Sequence, residues 1–182
     1  MVSYARRVLV LGGNDVSRRS FVRNAVDIAY GKGYRGTAYL VGMDEWKSWE
    51  HATGNDIAGL CGEEMLSGDA LAMLNTGALF DRLEAVERIA SGFQDVIIVH
   101  DWLCSYPVFD PGSVSENVVG ACERIYGSYM NHKGFDYVVA VDKDSEHVPH
   151  LEWLEKHCGR DWESVVDFEG YPEGLALLIA GA

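Results

Sequence analysis

Short runs of branched apolar residues alternate along the chain with longer stretches whose apolar positions recur every three or four residues. The first run, Arg7-Val8-Leu9-Val10-Leu11-Gly12-Gly13, ends in glycines and predicts a buried parallel strand. Residues 19–31 place Phe21, Val22, Ala25, Val26, Ile28 and Ala29 at helical spacing, with Gly31 and Gly33 as stop signals. Thr37-Ala38-Tyr39-Leu40-Val41-Gly42 predicts a second strand, and residues 69–91 a helix with Leu71, Leu74, Ala78, Leu79, Leu83, Val86 and Ile89 on one side. Asp95-Val96-Ile97-Ile98-Val99-His100-Asp101 is the clearest strand, an apolar run closed by a polar pair. A helix over 113–131, a strand over Phe135–Asp142, a helix over 149–158, a short strand over 164–168 and a closing helix over 173–180 complete the reading. Residues 43–68, where Trp46 and Trp49 mix with acids, glycines and His51, predict a long loop with a short helix.

Strands that alternate with helices in this way define βαβ units and an α/β fold with a parallel sheet. Ligands of such sheets gather beyond the carboxyl ends of the strands. That rule brings Gly12–Ser20, Gly42–Asp44, His100–Tyr106 and Asp142–Asp144 toward one crevice.

Composition narrows the partners. The 182 residues are 48% hydrophobic and 24% charged, with 20 Gly and 4 Pro, which fits one globular domain and excludes a disordered or collagen-like chain. The net charge of −13 argues against a long nucleic-acid track, which needs a basic face to release counterions. Residues 1–35 nevertheless carry a net +5 and the remainder −18, so a small anion site near the amino end is compatible with the charge pattern. The four Cys, at 61, 104, 122 and 158, form no Cys-x-x-Cys pair and read as small core residues in a reducing compartment. With no signal-peptide pattern and no apolar run of membrane length, a cytoplasmic location and no membrane partner are expected.

The segment Gly13-Asn14-Asp15-Val16-Ser17-Arg18-Arg19-Ser20, between the first strand and first helix, carries the candidate chemistry. A phosphate loop reads G-x-x-x-x-G-K-[ST] in that position and wraps phosphate oxygens with backbone N–H groups at a helix amino end. The spacing, the first Gly and the terminal Ser fit; Arg18 stands for the second Gly and Arg19 for the Lys. Two Arg at a helix amino end oppose the helix dipole, which favours an anion nearby.

Four segments together resemble the thymidylate kinases and related nucleoside monophosphate kinases. The loop from Val8 to Asp15 with Arg19-Ser20 is similar to the family's E-G-x-D-x-x-G-K-[ST], and Leu79-Phe80-Asp81-Arg82 to its F-x-A-[DN]-R helix. Val96–Trp102 falls where the family has a strand followed by D-R-[YH], and Phe135–Asp142 where it has P-D-x-x-x-x-L-D-V. The resemblance spans most of residues 7–142. It implies a P-loop NTPase three-layer fold over 1–182, with five parallel strands ordered 2-3-1-4-5 and a shortened lid at about 143–163. It also implies ATP and Mg²⁺ as cofactors and a deoxynucleoside monophosphate as acceptor. By that resemblance Asp15, Arg19 and Asp101 are catalytic, and Gly13, Asn14, Val16, Ser17, Arg18, Arg19 and Ser20 hold the donor phosphates. Ser20 and Asp101 face the metal, while Arg82, Phe80, Asp15 and Trp102 meet the acceptor. The expected partner is a small nucleotide, with a homodimer left open.

The chain departs from the family at several of these positions. Gly12 replaces Glu, Arg18-Arg19 replace Gly-Lys, and Trp102 replaces the Arg after the strand Asp. Ala78 stands where an aromatic ring often stacks on the base, and Phe80 points elsewhere on a helix. From Asp142 to Glu163 the chain holds Lys143, Lys156 and Arg160 among seven acids, a poor setting for two polyanions. Two expectations follow: a divergent kinase in which Arg19 stands in for Lys, or a catalytically inactive relative kept for nucleotide binding or for assembly with other proteins. Other candidates read two ways. His100-Asp101 is either a helper to metal or phosphate or a structural pair. His147, His150, His157 and Cys158 resemble metal ligands but are interrupted by Pro149. Trp46, Trp49 and His51 form either a recognition loop or a packed one, while Trp153 and Trp162 read as packing residues.

Overall fold

β1 (Arg6–Leu11) is an apolar hexapeptide buried from its second residue onward. It lies at the centre of a parallel sheet, as an uninterrupted branched run requires: both of its faces must be covered. The structure, a computed structural model, describes residues 5–12, 15–42, 67–92, 95–101, 112, 114–141, 152–153, 155–156, 165–167 and 171–181. β2 (Thr37–Val41), β3 (Val96–His100), β4 (Tyr137–Ala140) and β5 (Val165–Asp167) join β1 in the order β2-β3-β1-β4-β5. Every pairing is parallel, with Val8 level with Val99 on one side and with Tyr137 on the other.

The period-two alternation of β1 divides the core into two layers. Leu9 and Leu11, with Val41, Ile98 and Val138, face α2 (Gly68–Ala90) and α3 (Glu116–Lys133), which supply Leu79, Leu83, Val86, Cys122, Tyr126 and Tyr129. Val8 and Val10, with Ile97, Val99 and Val139, face α1 (Asp15–Gly31) and α4 (Pro172–Ala180), which supply Phe21, Val22, Ala25, Leu175, Ala176 and Ile179. Each Val, Leu, Ile or Phe among them, taken out of water, contributes roughly 1.5–3 kcal/mol. Trp153 packs into the α2/α3 layer, consistent with its reading as a packing residue.

Polar ties fix the helices on this frame. Ser67 caps α2, its hydroxyl accepting from Ala70 N at 3.2 Å. Asp69 binds the backbone N and hydroxyl of Ser115 at 2.6 and 2.8 Å, which joins the starts of α2 and α3. Arg6 donates to the carbonyls of Leu178 and Ile179 at 3.1 and 3.0 Å and pairs with Asp95 at 3.1 Å, placing a cation over the carboxyl end of α4. Between α2 and α3, the Tyr126 hydroxyl donates to Thr76 O at 2.8 Å, and Thr76 Oγ1 lies 3.1 Å from Cys122 Sγ.

One boundary departs from the pattern in a way that bears on function. The periodicity predicts a first helix from residue 19, whereas α1 begins at Asp15. Gly12, at φ 90°, turns the chain as it leaves β1, and only Gly13 and Asn14 separate it from the helix. No Gly or Pro follows until Gly31, so the helix runs unbroken through Arg18 and Arg19. β4 is also shorter than the predicted 135–142: Asp136 turns its carboxylate back to accept from Arg7 N at 2.6 Å, and the strand starts after it. The predicted lid falls almost wholly outside the described residues, as do Trp46, Trp49, His51, Trp162 and the His147, His150, His157, Cys158 group. Among the described residues no helix is long and apolar enough to cross a membrane.

Candidate functional site

The carboxyl ends of β1, β2 and β3 converge, as the topology requires. Gly12 follows β1, Gly42 follows β2 and Asp101 follows β3. The backbone N of Asp101 donates to Val41 O at 3.0 Å, which fixes its position beside β2. Its carboxylate lies over Gly42, where a Cβ would come within 2.8 Å of Oδ1. A glycine at 42 therefore leaves the space that the carboxylate fills.

α1 delivers Arg18 and Arg19 to this corner. Neighbours on a helix differ by about 100° in direction, so the two guanidinium groups cannot share a role. Arg18 turns inward and is 1% exposed. Its Nε donates to Asp101 O at 2.9 Å and its Nη1 to Gly12 O at 3.2 Å, bridging the ends of β3 and β1. Arg19 stays at the mouth, 31% exposed, with Nε 3.9 Å from Asp101 Oδ2. That separation is a loose ion pair at a partly solvated edge, worth little by itself.

The described residues here are arranged differently from a nucleotide-phosphate cradle. A phosphate cradle needs a wrapped loop whose N–H groups point inward. Here the helix already runs from Asp15, and the space between the strand ends holds the Arg18 guanidinium, bound by carbonyl oxygens. Val16 and Ser17, expected in the loop, lie in the first helical turn, with Ser17 exposed. Asp15 is the first helical residue. Ser20, expected on the magnesium side, is exposed on α1, and Asp101, its expected companion, faces Arg19 and Gly42. Gly13, Asn14 and Trp102 lie outside the described residues.

The residues expected to meet the acceptor are spread along α2. Arg82 is half-buried, with Nε in the interior. It precedes Glu87 by five residues, or about 7.5 Å of helix, and Glu87 pairs with Arg7 near the start of β1. Phe80, about 200° around the helix from Arg82, lines a cleft of about 550 Å³ between α2 and α3 with Met73, Gly77, Ile125 and Tyr129. Its ring meets Tyr129 edge-on at 6.5 Å.

His100 and Asp101 divide as adjacent strand residues do, onto different sides. The His100 ring is fully buried, edge-on to Phe135 at 5.2 Å. Burial, reinforced by the Arg7 charge, lowers its pKa to about 3 and keeps it neutral. Of the two readings of this pair, the geometry favours a structural histidine.

Sequence reasoning missed the role of Arg18, which it placed on the phosphate side as a second cation. A signal was present: Val22, Ala25 and Ala29 mark the buried stripe of α1, and one turn back along that stripe is position 18. No protein-family model matches the chain, and no curated protein does.

Proposed function

We propose that this chain is a P-loop kinase-like domain that no longer transfers phosphoryl groups and serves as a structural or interaction protein. The parallel sheet, with α1 leaving β1 at a glycine turn, supports the kinase-like ancestry. The observation that carries the loss of activity is Arg18, whose guanidinium occupies the space between Gly12 and Asp101. Phosphoryl transfer works by positioning and neutralising phosphate oxygens, and a buried cation bonded to carbonyls leaves them no cradle.

A second reading keeps the enzyme: a divergent deoxynucleoside monophosphate kinase using ATP and Mg²⁺. Arg19 favours it, being half-exposed beside the Asp101 carboxylate at the strand ends. One experiment separates the two. The purified full chain is incubated with MgATP and each deoxynucleoside monophosphate, dTMP included, and ADP is measured. The inactive reading expects no ADP above the protein-free blank and no calorimetric heat with ATP or ADP. Turnover that Arg19→Ala abolishes would establish the kinase instead.

A further inference from the structure

Among the described strands β2 forms one edge of the sheet, and Tyr30 reaches over its start. We propose that Tyr30 guards this edge, and that the strand it holds off is β2 of a second copy of the chain. The inference goes beyond the inactive reading above and does not depend on it.

The ladder sets which backbone groups face outward. Thr37 N donates to Asp95 O at 3.1 Å, and Val41 O accepts from Asp101 N at 3.0 Å, so Thr37, Tyr39 and Val41 turn their polar groups toward β3. Successive residues of a strand alternate, and Gly36, Ala38 and Leu40 therefore turn theirs to the open side. The Tyr30 hydroxyl, from the last turn of α1, accepts from Ala38 N at 3.2 Å and donates to Gly36 O at 3.4 Å. One residue of an added parallel strand would make the same two bonds. The Tyr30 ring packs against that of Tyr34, 5.6 Å away, and Tyr34 is tied to Asp95 O.

The occupant follows from the segment itself. Thr37-Ala38-Tyr39-Leu40-Val41 has no charge, no Pro and no Gly, and Thr37, Tyr39 and Val41 favour strands. Identical segments of that composition pair with one another. Two copies set antiparallel about a twofold axis at Tyr39 bring Ala38 of one opposite Leu40 of the other, and each such pair exchanges two backbone bonds. Tyr30 holds the Ala38 N–H, so one bond of each pair is withheld. An antiparallel strand at the edge of a parallel sheet is a common arrangement, so the fold itself does not oppose the pairing.

The test is sedimentation equilibrium of the full chain across the micromolar range. Tyr30→Ala removes the guard and is expected to dimerise at least about tenfold more tightly than wild type, from the bonds it releases. Tyr30→Phe loses the hydroxyl and keeps the ring, so its affinity should lie between the two. Leu40→Pro removes an outward N–H that β3 does not use, which an edge strand tolerates, and added to Tyr30→Ala it should return the affinity to the wild-type value. Amide exchange at the lowest concentration gives a reading that needs no association: Ala38 should exchange faster in Tyr30→Phe than in wild type, while Tyr39, bonded to β3, stays the same. That comparison decides the matter if Tyr30→Ala or the double variant does not fold. Equal affinity of wild type and a folded Tyr30→Ala, association that Leu40→Pro leaves in place, or equal Ala38 exchange in wild type and Tyr30→Phe overturns the guard.

Discussion

Arg7 and Glu87 form a two-pronged ion pair at the start of β1, with Nε to Oε1 at 2.7 Å and Nη2 to Oε2 at 2.6 Å. The side chains are 6% and 14% exposed, and Tyr129 donates to the same carboxylate at 3.0 Å. Burial, together with the Glu87 charge, pushes the Tyr129 hydroxyl pKa upward and keeps it a donor. Loss of one partner leaves a charge buried without its counter-ion. Glu87→Ala is expected to cost about 3–5 kcal/mol in urea unfolding. Arg7→Met combined with Glu87→Leu should recover most of that loss. A double variant no better than Glu87→Ala would mean that the pair itself, and not the stranded charge, carries the stability.

Gly36 is packed where no side chain fits. A Cβ there would clash with Asp95 O and with the Tyr34 hydroxyl, which itself donates to Asp95 O at 3.2 Å. Gly36→Ala should therefore destabilise by about 2 kcal/mol or more. Gly31, with nothing within 4 Å, is the control: alanine there should be neutral or stabilise by about 0.5 kcal/mol. Equal effects at the two positions would contradict the packing described.

His100 makes stability depend on pH. Its folded pKa, about 3, lies below the ordinary 6.5, so between those values the unfolded chain binds a proton that the folded chain refuses. Stability contributed by this group is complete above pH 6.5 and falls as pH drops toward 3, by up to about 1.4 kcal/mol per unit. His100→Leu should give a shallower pH profile across that window. Parallel profiles for wild type and variant would place the imidazole in water.

The guanidinium of Arg6 covers the last carbonyls of α4. Arg6→Ala is expected to cost about 1–2 kcal/mol and to speed amide hydrogen exchange in α4 first. Arg6→Lys should restore part of the protection. Exchange that changes uniformly over all helices would argue against a local cap.

The α/β layout was legible because parallel strands buried on both faces leave unbroken apolar runs, as in Val96–Val99. The long helix, α2, was legible from its stripe through Leu79, Leu83 and Val86. The start of α1 was not, because a loop motif matched over Gly13–Ser20 competes with helix propensity, and nothing local decides between them. The burial of Arg18 depends on a carbonyl 83 residues away, at Asp101, which no local pattern encodes. Phe80, expected with Arg82 at the acceptor, sets its ring edge-on to Tyr129 in the cleft between α2 and α3. The charge type of His100 suggested chemistry, but its position in a fully buried strand made it part of the core.

The thiol of Cys122, 0% exposed behind Thr76, has a consequence for experiment. An alkylating reagent reaches its sulfur only when α2 and α3 part, so its labelling rate under native conditions counts those openings. The protein thereby carries its own stopwatch for the seam between these two helices, readable by mass spectrometry without any engineered residue.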